Sequence, residues 1–184
     1  MQLIISFDVD KPLVFPISYL HILQSIIYNN IRTEDGLSDF IHDVGLKNQS
    51  RTFKPFIFSW IKGHYQIRGK QISFDQNVSF EVRSVYPEIL QCIYDNIRAH
   101  GIRIGEKKFT DIQMEFQDVC VENVCSKIKM RTPMCISTTT EAGRHYYCPD
   151  EELFFRLIQS NFRKKYTAYF GEEPLQNIRL KRMR

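Results

Sequence analysis

The stretch LIISFDVDKPLVFPISYLHILQSIIYNNI, residues 3–31, predicts how the fold begins. Its opening part, LIISFDVD, is typical of a strand whose end carries Asp8 and Asp10. A helix is predicted next, because proline is tolerated in a first turn, as at Pro16, and apolar residues then recur at helical spacing. Those apolar residues are Leu20, Leu23, Ile27 and Ile31. The chain is therefore expected to open with a strand followed by a helix.

Further elements are predicted up to residue 84. A short helix over 37–44 fits the helical spacing of its apolar residues and is ended by Gly45. The segments FKPFIFSW (53–60) and VSFEVRS (78–84) alternate in the manner of half-buried strands. Between them, HYQIRGKQISF (64–74) is expected to add a strand or a hairpin arm.

A long helix with an apolar stripe is predicted to begin at Pro87 and to stop at Gly101. The segment GIRIG (101–105) then returns as a strand. The resulting order of strand, helix, strand, strand, helix, strand is that of a ferredoxin-like unit. In such a unit two helices cover one face of an antiparallel sheet.

The pattern begins again near Phe109. Strands are predicted in FTDIQMEF (109–116), KIKMR (127–131) and NIRLKRMR (177–184), with a helix in CPDEELFFRLIQSNFRKKY (148–166). The predicted fold class is α+β, with tandem ferredoxin-like units in domains 1–106 and 107–184. The second unit is expected to be incomplete, which fits a truncated chain, a disordered remainder or a short natural form.

The composition is that of a soluble globular protein, with 43% hydrophobic and 25% charged residues in a chain of 184. No stretch approaches the roughly 20 apolar residues that cross a bilayer, and the start lacks a basic leader. A cytoplasmic protein with no membrane partner is expected. The five cysteines form no CxxC pair, so neither a disulfide framework nor a zinc site is predicted. No metal and no other cofactor is predicted.

Positive charge is concentrated at the C-terminal end. The formal net charge is +4, whereas residues 161–184 contain seven basic and two acidic residues, which makes +5 for this segment. Such a cluster is typical of a surface that binds a polyanion. A solvated charged face explains it equally well.

His42 is open to two interpretations. On the predicted short helix it lies roughly 150° from the centre of the apolar stripe, so it is expected to face solvent or a cleft rather than the core. A surface histidine without a function fits this position. So does a catalytic one, because an unperturbed imidazole titrates close to neutral pH and suits general acid or base catalysis.

Tyr28 and Lys54 strengthen the catalytic interpretation. Tyr28 is at the edge of the first helix's apolar stripe, where its ring packs while its hydroxyl stays available, and Lys54 opens the aromatic strand. A helix end, a short helix and a strand start can meet at one sheet edge. The simpler, non-catalytic explanations are that Tyr28 only packs at the rim of the core and that Lys54 is an ordinary lysine at a strand end.

The sequence resembles a known family over essentially its whole length. The segments YLHILQSIIYNNI, SDFIHDVG, FKPFIFS and VSFEVRS, followed by TPMCIST and the long helix to TAYFGEEP, occur in the order and spacing of that family. It is the sixth of the numbered Cas families, the CRISPR-associated endoribonucleases of the RAMP superfamily that process repeat RNA.

The resemblance implies metal-independent RNA cleavage by two tandem ferredoxin-like folds. His42 matches the family's catalytic histidine, Tyr28 its active-site tyrosine and Lys54 its active-site lysine. The implied reaction is attack of the RNA 2′-hydroxyl on the adjacent phosphorus, leaving a 2′,3′-cyclic phosphate and a 5′-hydroxyl. The implied partner is CRISPR repeat RNA, with other Cas proteins and a homodimer left open.

RNA binding is predicted at the basic residues of the C-terminal half, which are Lys129, Arg131, Arg179, Lys181 and Arg182. These residues would contact phosphates, unless they only keep the surface soluble. The chain departs from the family in having no glycine-rich loop after Gly171. Two other functions stay open: a non-catalytic crRNA-binding subunit of an effector complex, and a ferredoxin-like domain that binds another ligand.

Overall fold

A computed structural model describes most of the chain, and the described residues form two compact units. The described residues are 1–31, 46–48, 51–118, 134–176 and 180. Of these, the first unit contains 1–31 and 54–118. The second unit contains 46–48, 51–53, 134–176 and 180.

Strands outnumber helices in the described part of the chain. The strands are β1 (Gln2–Pro16), β2 (Leu46–Asn48), β3 (Arg51–Phe53), β4 (Phe56–Phe58), β5 (Lys62–Arg68), β6 (Gln71–Ser84), β7 (Ile102–Ile104), β8 (Lys107–Phe109), β9 (Ile112–Gln117), β10 (Ile136–Thr140) and β11 (Gly143–Tyr147). The helices are α1 (Leu20–Asn29), α2 (Pro87–His100) and α3 (Glu152–Phe170). The predicted α+β class is confirmed. The short helix predicted over 37–44 lies outside the described residues.

The first unit is built on a five-stranded antiparallel sheet with the order β4, β6, β1, β9. Strand β5 also pairs with β6, so β4 and β5 occupy successive parts of one edge of that long strand. With α1 after β1 and α2 after β6, the unit has the ferredoxin-like order of strands and helices. The predicted fold of this part is confirmed.

Two details of the first unit differ from the sequence predictions. The strand expected to end at Asp10 continues to Pro16 through a register shift between Val9 and Leu13. The segment GIRIG does not return to the sheet, because its strand β7 pairs with β8 in a separate hairpin. Strand β9 takes the fourth position beside β1. The division into domains 1–106 and 107–184 stays a prediction, and β9, which lies beyond residue 107, completes the sheet of the first unit.

Both helices of the first unit bury an apolar face, although Leu20 of the predicted stripe is only partly buried and Ile31 lies beyond the end of α1. In α2 the fully or nearly fully buried residues are Ile89, Leu90, Ile93 and Ile97. In α1 they are Leu23, Ile26 and Ile27. They join the inward residues of the sheet in one hydrophobic cluster, which includes Phe74, Val78 and Val82. This cluster provides a rigid support for the side chains at the helix ends.

The second unit is described as two hairpins and a long helix. Strand β2 pairs with β3, and β10 pairs with β11, while α3 contacts β2 and β10. The helix buries Phe154 and Ile158 and ends at Gly171, whose left-handed backbone, with φ of 76°, suits glycine. The helix predicted for 148–166 is therefore confirmed. The strands predicted for 127–131 and 177–184 fall outside the described residues, apart from residue 180.

Within the described residues, no helix is both long enough and apolar enough to cross a membrane.

Candidate functional site

Two of the predicted site residues, Tyr28 and Lys54, lie in the described part of the chain. The others lie outside it: His42, Lys129, Arg131, Arg179, Lys181 and Arg182. The geometry of the candidate site is therefore that of Tyr28, Lys54 and the groups that hold them.

Tyr28 lies in the last turn of α1 and is half-buried against the edge of the first unit's core. Its ring packs edge-on against the ring of Phe56, with 5.3 Å between the centroids and 73° between the planes. Its hydroxyl oxygen is buried from solvent. The packing fixes the orientation of the ring, because edge-to-face aromatic pairs favour one geometry.

Lys54 lies between β3 and β4, two residues before Phe56, and is exposed. Its Nζ lies over the Tyr28 ring, 5.4 Å from the ring centroid. That distance is within the range of about 6 Å in which a cation is attracted to an aromatic face. The structure therefore brings together two of the three residues that the sequence placed in the site, and it joins them by a cation–π contact.

Ser84 fixes the backbone beside Lys54 and was not singled out by the sequence. The side chain is buried, and its Oγ donates a hydrogen bond to the Pro55 carbonyl oxygen at 2.7 Å. The backbone N–H of Tyr86 donates to the same Oγ at 3.0 Å. Ser84 also faces Phe56 in the β4 and β6 register. A serine that ends a strand just before a helix-opening proline was the available signal, since such a hydroxyl often binds nearby backbone.

The end of α1 is tied to α2 by two further residues that the sequence did not indicate. Asn96 Nδ2 donates to the Asn30 carbonyl oxygen at 3.0 Å, and the Cys92 thiol donates to the Ile31 carbonyl oxygen at 3.4 Å. Burial raises the pKa of the Cys92 thiol, and the Asp95 carboxylate raises it further, against a smaller lowering by Asn96. Cys92 is therefore a protonated hydrogen-bond donor at neutral pH, which suits a structural role.

One of the acidic side chains near the start of the chain, Asp8, has a structural partner. Asp8 accepts a hydrogen bond from Asn77 Nδ2 at 3.0 Å, across the β1 and β6 pair. No group of three or more His, Cys, Asp or Glu side chains suited to a metal ion is present in the described parts of the chain.

Three solved structures share this fold over nearly the whole chain. One, named CRISPR associated protein Cas6, is 23% identical with a TM-score of 0.64, over 96% of this chain and 74% of that one. The product of a Cas6-related gene from Pyrococcus furiosus is 19% identical with a TM-score of 0.69, over 95% and 73%. A RAMP protein described as binding different RNA substrates is 18% identical with a TM-score of 0.63, over 95% and 74%. At these identities the likeness establishes the fold.

The family model described as CRISPR associated protein Cas6, C-terminal, matches residues 105–184. The C-terminal part of the chain is therefore similar to the C-terminal part of Cas6 proteins. The family resemblance and the tandem ferredoxin-like fold expected from the sequence are thereby confirmed. No curated protein matches this chain. The family match begins beyond Tyr28, His42 and Lys54, so the roles of these residues depend on the local geometry and on experiment.

Proposed function

We propose that this protein is a metal-independent endoribonuclease of the Cas6 kind that cleaves CRISPR repeat RNA. The observation that supports the proposal is the contact between Lys54 and the Tyr28 ring at the end of α1. The stretch of sequence between these two residues carries His42. His42 is proposed to act together with Lys54.

The proposed reaction is an internal transesterification. The 2′-oxygen attacks the adjacent phosphorus, the bond from phosphorus to the 5′-oxygen breaks, and the products are a 2′,3′-cyclic phosphate and a 5′-hydroxyl. The 2′-hydroxyl loses a proton and the departing 5′-oxygen gains one. His42 performs one of these proton transfers, which is a contribution of about 10²- to 10⁴-fold.

Lys54 is proposed to stabilise the negative charge that gathers on the phosphorane oxygens. A fixed cation is effective there because its charge is already oriented when the transition state forms. The Tyr28 ring beneath it limits where the ammonium group can move. The buried Tyr28 hydroxyl supports this positioning role for the ring over direct contact with the 2′-hydroxyl.

RNA binding is proposed to involve the basic residues of the C-terminal half, Lys129, Arg131, Arg179, Lys181 and Arg182. Lysine and arginine contacts to phosphates carry no sequence information, so this part of the affinity falls as salt rises. The proposed partner is the repeat RNA in the cytoplasm. Sedimentation of the protein alone and with RNA would detect a homodimer.

Single-turnover cleavage of end-labelled repeat RNA in EDTA tests the proposal. We expect cutting at one site with a cyclic phosphate end, and no cutting when the scissile nucleotide has a 2′-deoxy sugar. His42→Ala should abolish cleavage, while His21→Ala, at the start of α1, should retain it. A gel shift without cutting would instead identify a non-catalytic crRNA-binding subunit. Cleavage of the 2′-deoxy substrate, or loss of cleavage in EDTA, would contradict the mechanism.

A further inference from the structure

A small pocket in the first unit lies on a different flank of α1 from Tyr28. Its volume is about 280 Å³, and side chains from α1, α2 and the β7 and β8 hairpin line it. The polar and charged lining residues are Asn29, Asn30, His100, Arg103 and Lys108. The pocket therefore combines two cations, an imidazole and two amides in one concave place.

The two cations are held side by side by the hairpin. Arg103 and Lys108 are direct partners in the antiparallel register of β7 and β8, and both are exposed. Like charges directly opposite each other on neighbouring strands repel and destabilise the pair. No carboxylate among the described residues forms an ion pair with either of them. An anion that bound between them would relieve this repulsion.

Gly101 allows α2 to approach the hairpin closely at this pocket. Its backbone has φ of 72°, and a Cβ at this position would lie 2.2 Å from the Phe109 carbonyl oxygen. The close approach brings His100 to the same pocket as Arg103 and Lys108. The pocket is thus formed by regular backbone and a required glycine, which gives it a fixed shape.

We propose that this pocket binds a backbone phosphate of the RNA, a claim that deepens the proposed function and rests on RNA being the substrate. Arg103 and Lys108 supply the charge, and the Asn29 amide donates a hydrogen bond to a phosphate or sugar oxygen. The Asn30 Nδ2 already donates to the Ile26 carbonyl oxygen at 2.8 Å, so Asn30 shapes the pocket wall. The site adds one or two contacts to those proposed in the C-terminal half. It takes a phosphodiester of any sequence.

The position of the pocket predicts which phosphate it holds. Ile26, Asn29 and Asn30 line the pocket from the end of α1. At 100° per residue, their mean direction lies roughly 150° around the helix axis from that of Tyr28. The pocket and the Tyr28 ring are therefore separated by about one helix diameter, about 10–12 Å. At about 3.4 Å per nucleotide along a strand, the bound phosphate is expected about three or more nucleotides from the scissile one.

The test measures RNA binding by the full chain, separately from cleavage. The substrate is a non-cleavable 2′-O-methyl form of the repeat RNA, and its affinity is measured by fluorescence anisotropy at several salt concentrations. The double variant Arg103→Gln with Lys108→Gln should weaken binding severalfold. The slope of log affinity against log salt concentration should become shallower by about 0.7 for each single-strand phosphate that the protein no longer neutralises. The charge-matched control is Arg68→Gln with Lys70→Gln, two exposed residues at the β5 and β6 turn. Equal weakening in both double variants would overturn the proposal.

Neutral methylphosphonates placed one at a time along this RNA identify the contacted phosphate. At that position the losses of binding free energy caused by the neutral linkage and by the double variant should not be additive, because both changes remove the same contact. Coupling at a position about three or more nucleotides from the scissile phosphate would support the proposal. Strict additivity at every position would overturn it, as would an absence of RNA binding by the unaltered protein. Binding and coupling without any cleavage would sustain this site while refuting the proposed enzyme.

A stability measurement excludes a purely structural role for the two cations. If Arg103 and Lys108 repel each other when no anion is bound, the double variant should melt at the same or a higher temperature without RNA, because this repulsion has been removed. Cations near helix C-termini also stabilise helices. A lower melting temperature with unchanged salt dependence would show that Arg103 and Lys108 serve α1 and α2, and the phosphate proposal would fail.

Discussion

The two units of the chain differ in how their described residues bury apolar surface. In the first unit, strands from both edges of the sheet and both helices contribute to one cluster that includes Leu3, Ile5 and Ile93. In the described part of the second unit, the buried apolar residues are Phe53, Phe154 and Ile158. The long helix of that unit also leaves large apolar side chains exposed, namely Leu153, Phe162 and Phe170.

The family match and the residues proposed for catalysis lie in different parts of the chain. The family model matches residues 105–184, which include the whole of α3, while Tyr28 and Lys54 lie in the first unit. A precise arrangement of reacting groups needs a rigid support, and the first unit supplies one in its continuous core. The family match alone therefore does not establish catalysis, and the first unit is where catalysis should be tested.

The largest expected effect is on stability, and it compares the two units directly. Ile93→Ala in α2 removes a side chain with 0% exposure and should cost about 2–5 kcal/mol. Ile158→Ala in α3 should cost less, because a site with fewer buried neighbours collapses more easily around the missing atoms. Urea unfolding followed by circular dichroism measures both. Equal losses of stability would mean that the two units are equally well packed.

Ser84→Ala tests the anchor beside Lys54. The change leaves the Pro55 carbonyl and the Tyr86 N–H without their shared partner, at a cost of about 1–3 kcal/mol. Ser79→Ala, on the same strand β6, is the matched control and should change stability little. Cleavage by Ser84→Ala at a temperature where it stays folded should also fall, because the backbone at Lys54 is less constrained. Equal stability of both variants would show that the Ser84 hydroxyl does not anchor the backbone beside Lys54.

Part of this arrangement was predictable from the sequence. Helix spacing placed Tyr28 at the edge of the α1 stripe, because this is a local pattern. Alternation in FKPFIFSW placed Lys54 at a strand start, whereas β4 begins two residues later at Phe56. The choice of β9 over β7 as the partner of β1 was not predictable. Both segments alternate, and the pairing joins residues more than 100 positions apart, such as Leu3 and Phe116. The contact of Ser84 with Pro55 depends on that same tertiary geometry.

Tyr28 variants separate the ring from the hydroxyl. Tyr28→Phe keeps the face beneath the Lys54 ammonium group and should retain most of the cleavage rate, whereas Tyr28→Leu removes it. A cation–π contact of about 0.5–2 kcal/mol corresponds to a rate loss of about two- to thirtyfold for the leucine variant. Single-turnover rates at saturating RNA measure the difference. A large loss in Tyr28→Phe would instead show that the hydroxyl takes part in the chemistry.

Tyr19→Phe is expected to have the smallest effect on stability. Its stability at alkaline pH compares a buried tyrosine of the first unit with an exposed one of the second. The Tyr19 hydroxyl accepts a hydrogen bond from the Ile61 N–H at 3.1 Å, so its removal should cost about 0.5–1.5 kcal/mol at neutral pH. Burial raises the pKa of Tyr19, and the Ile61 hydrogen bond lowers it by a smaller amount. The folded state therefore retains the proton more strongly than the unfolded state, whose tyrosines titrate at about pH 10.

The stability that Tyr19 contributes through this shift is complete below about pH 10 and is lost as the pH rises through the folded-state pKa. Tyr19→Phe should consequently lose less stability than the unaltered protein between neutral and strongly alkaline pH, as followed by urea midpoints. Tyr146→Phe changes an exposed tyrosine of the second unit and should leave the pH profile unchanged. If the two variants had the same profile, the alkaline transition would not arise from the buried tyrosine. The tight packing at the start of α1 would then not be what distinguishes the first unit at high pH.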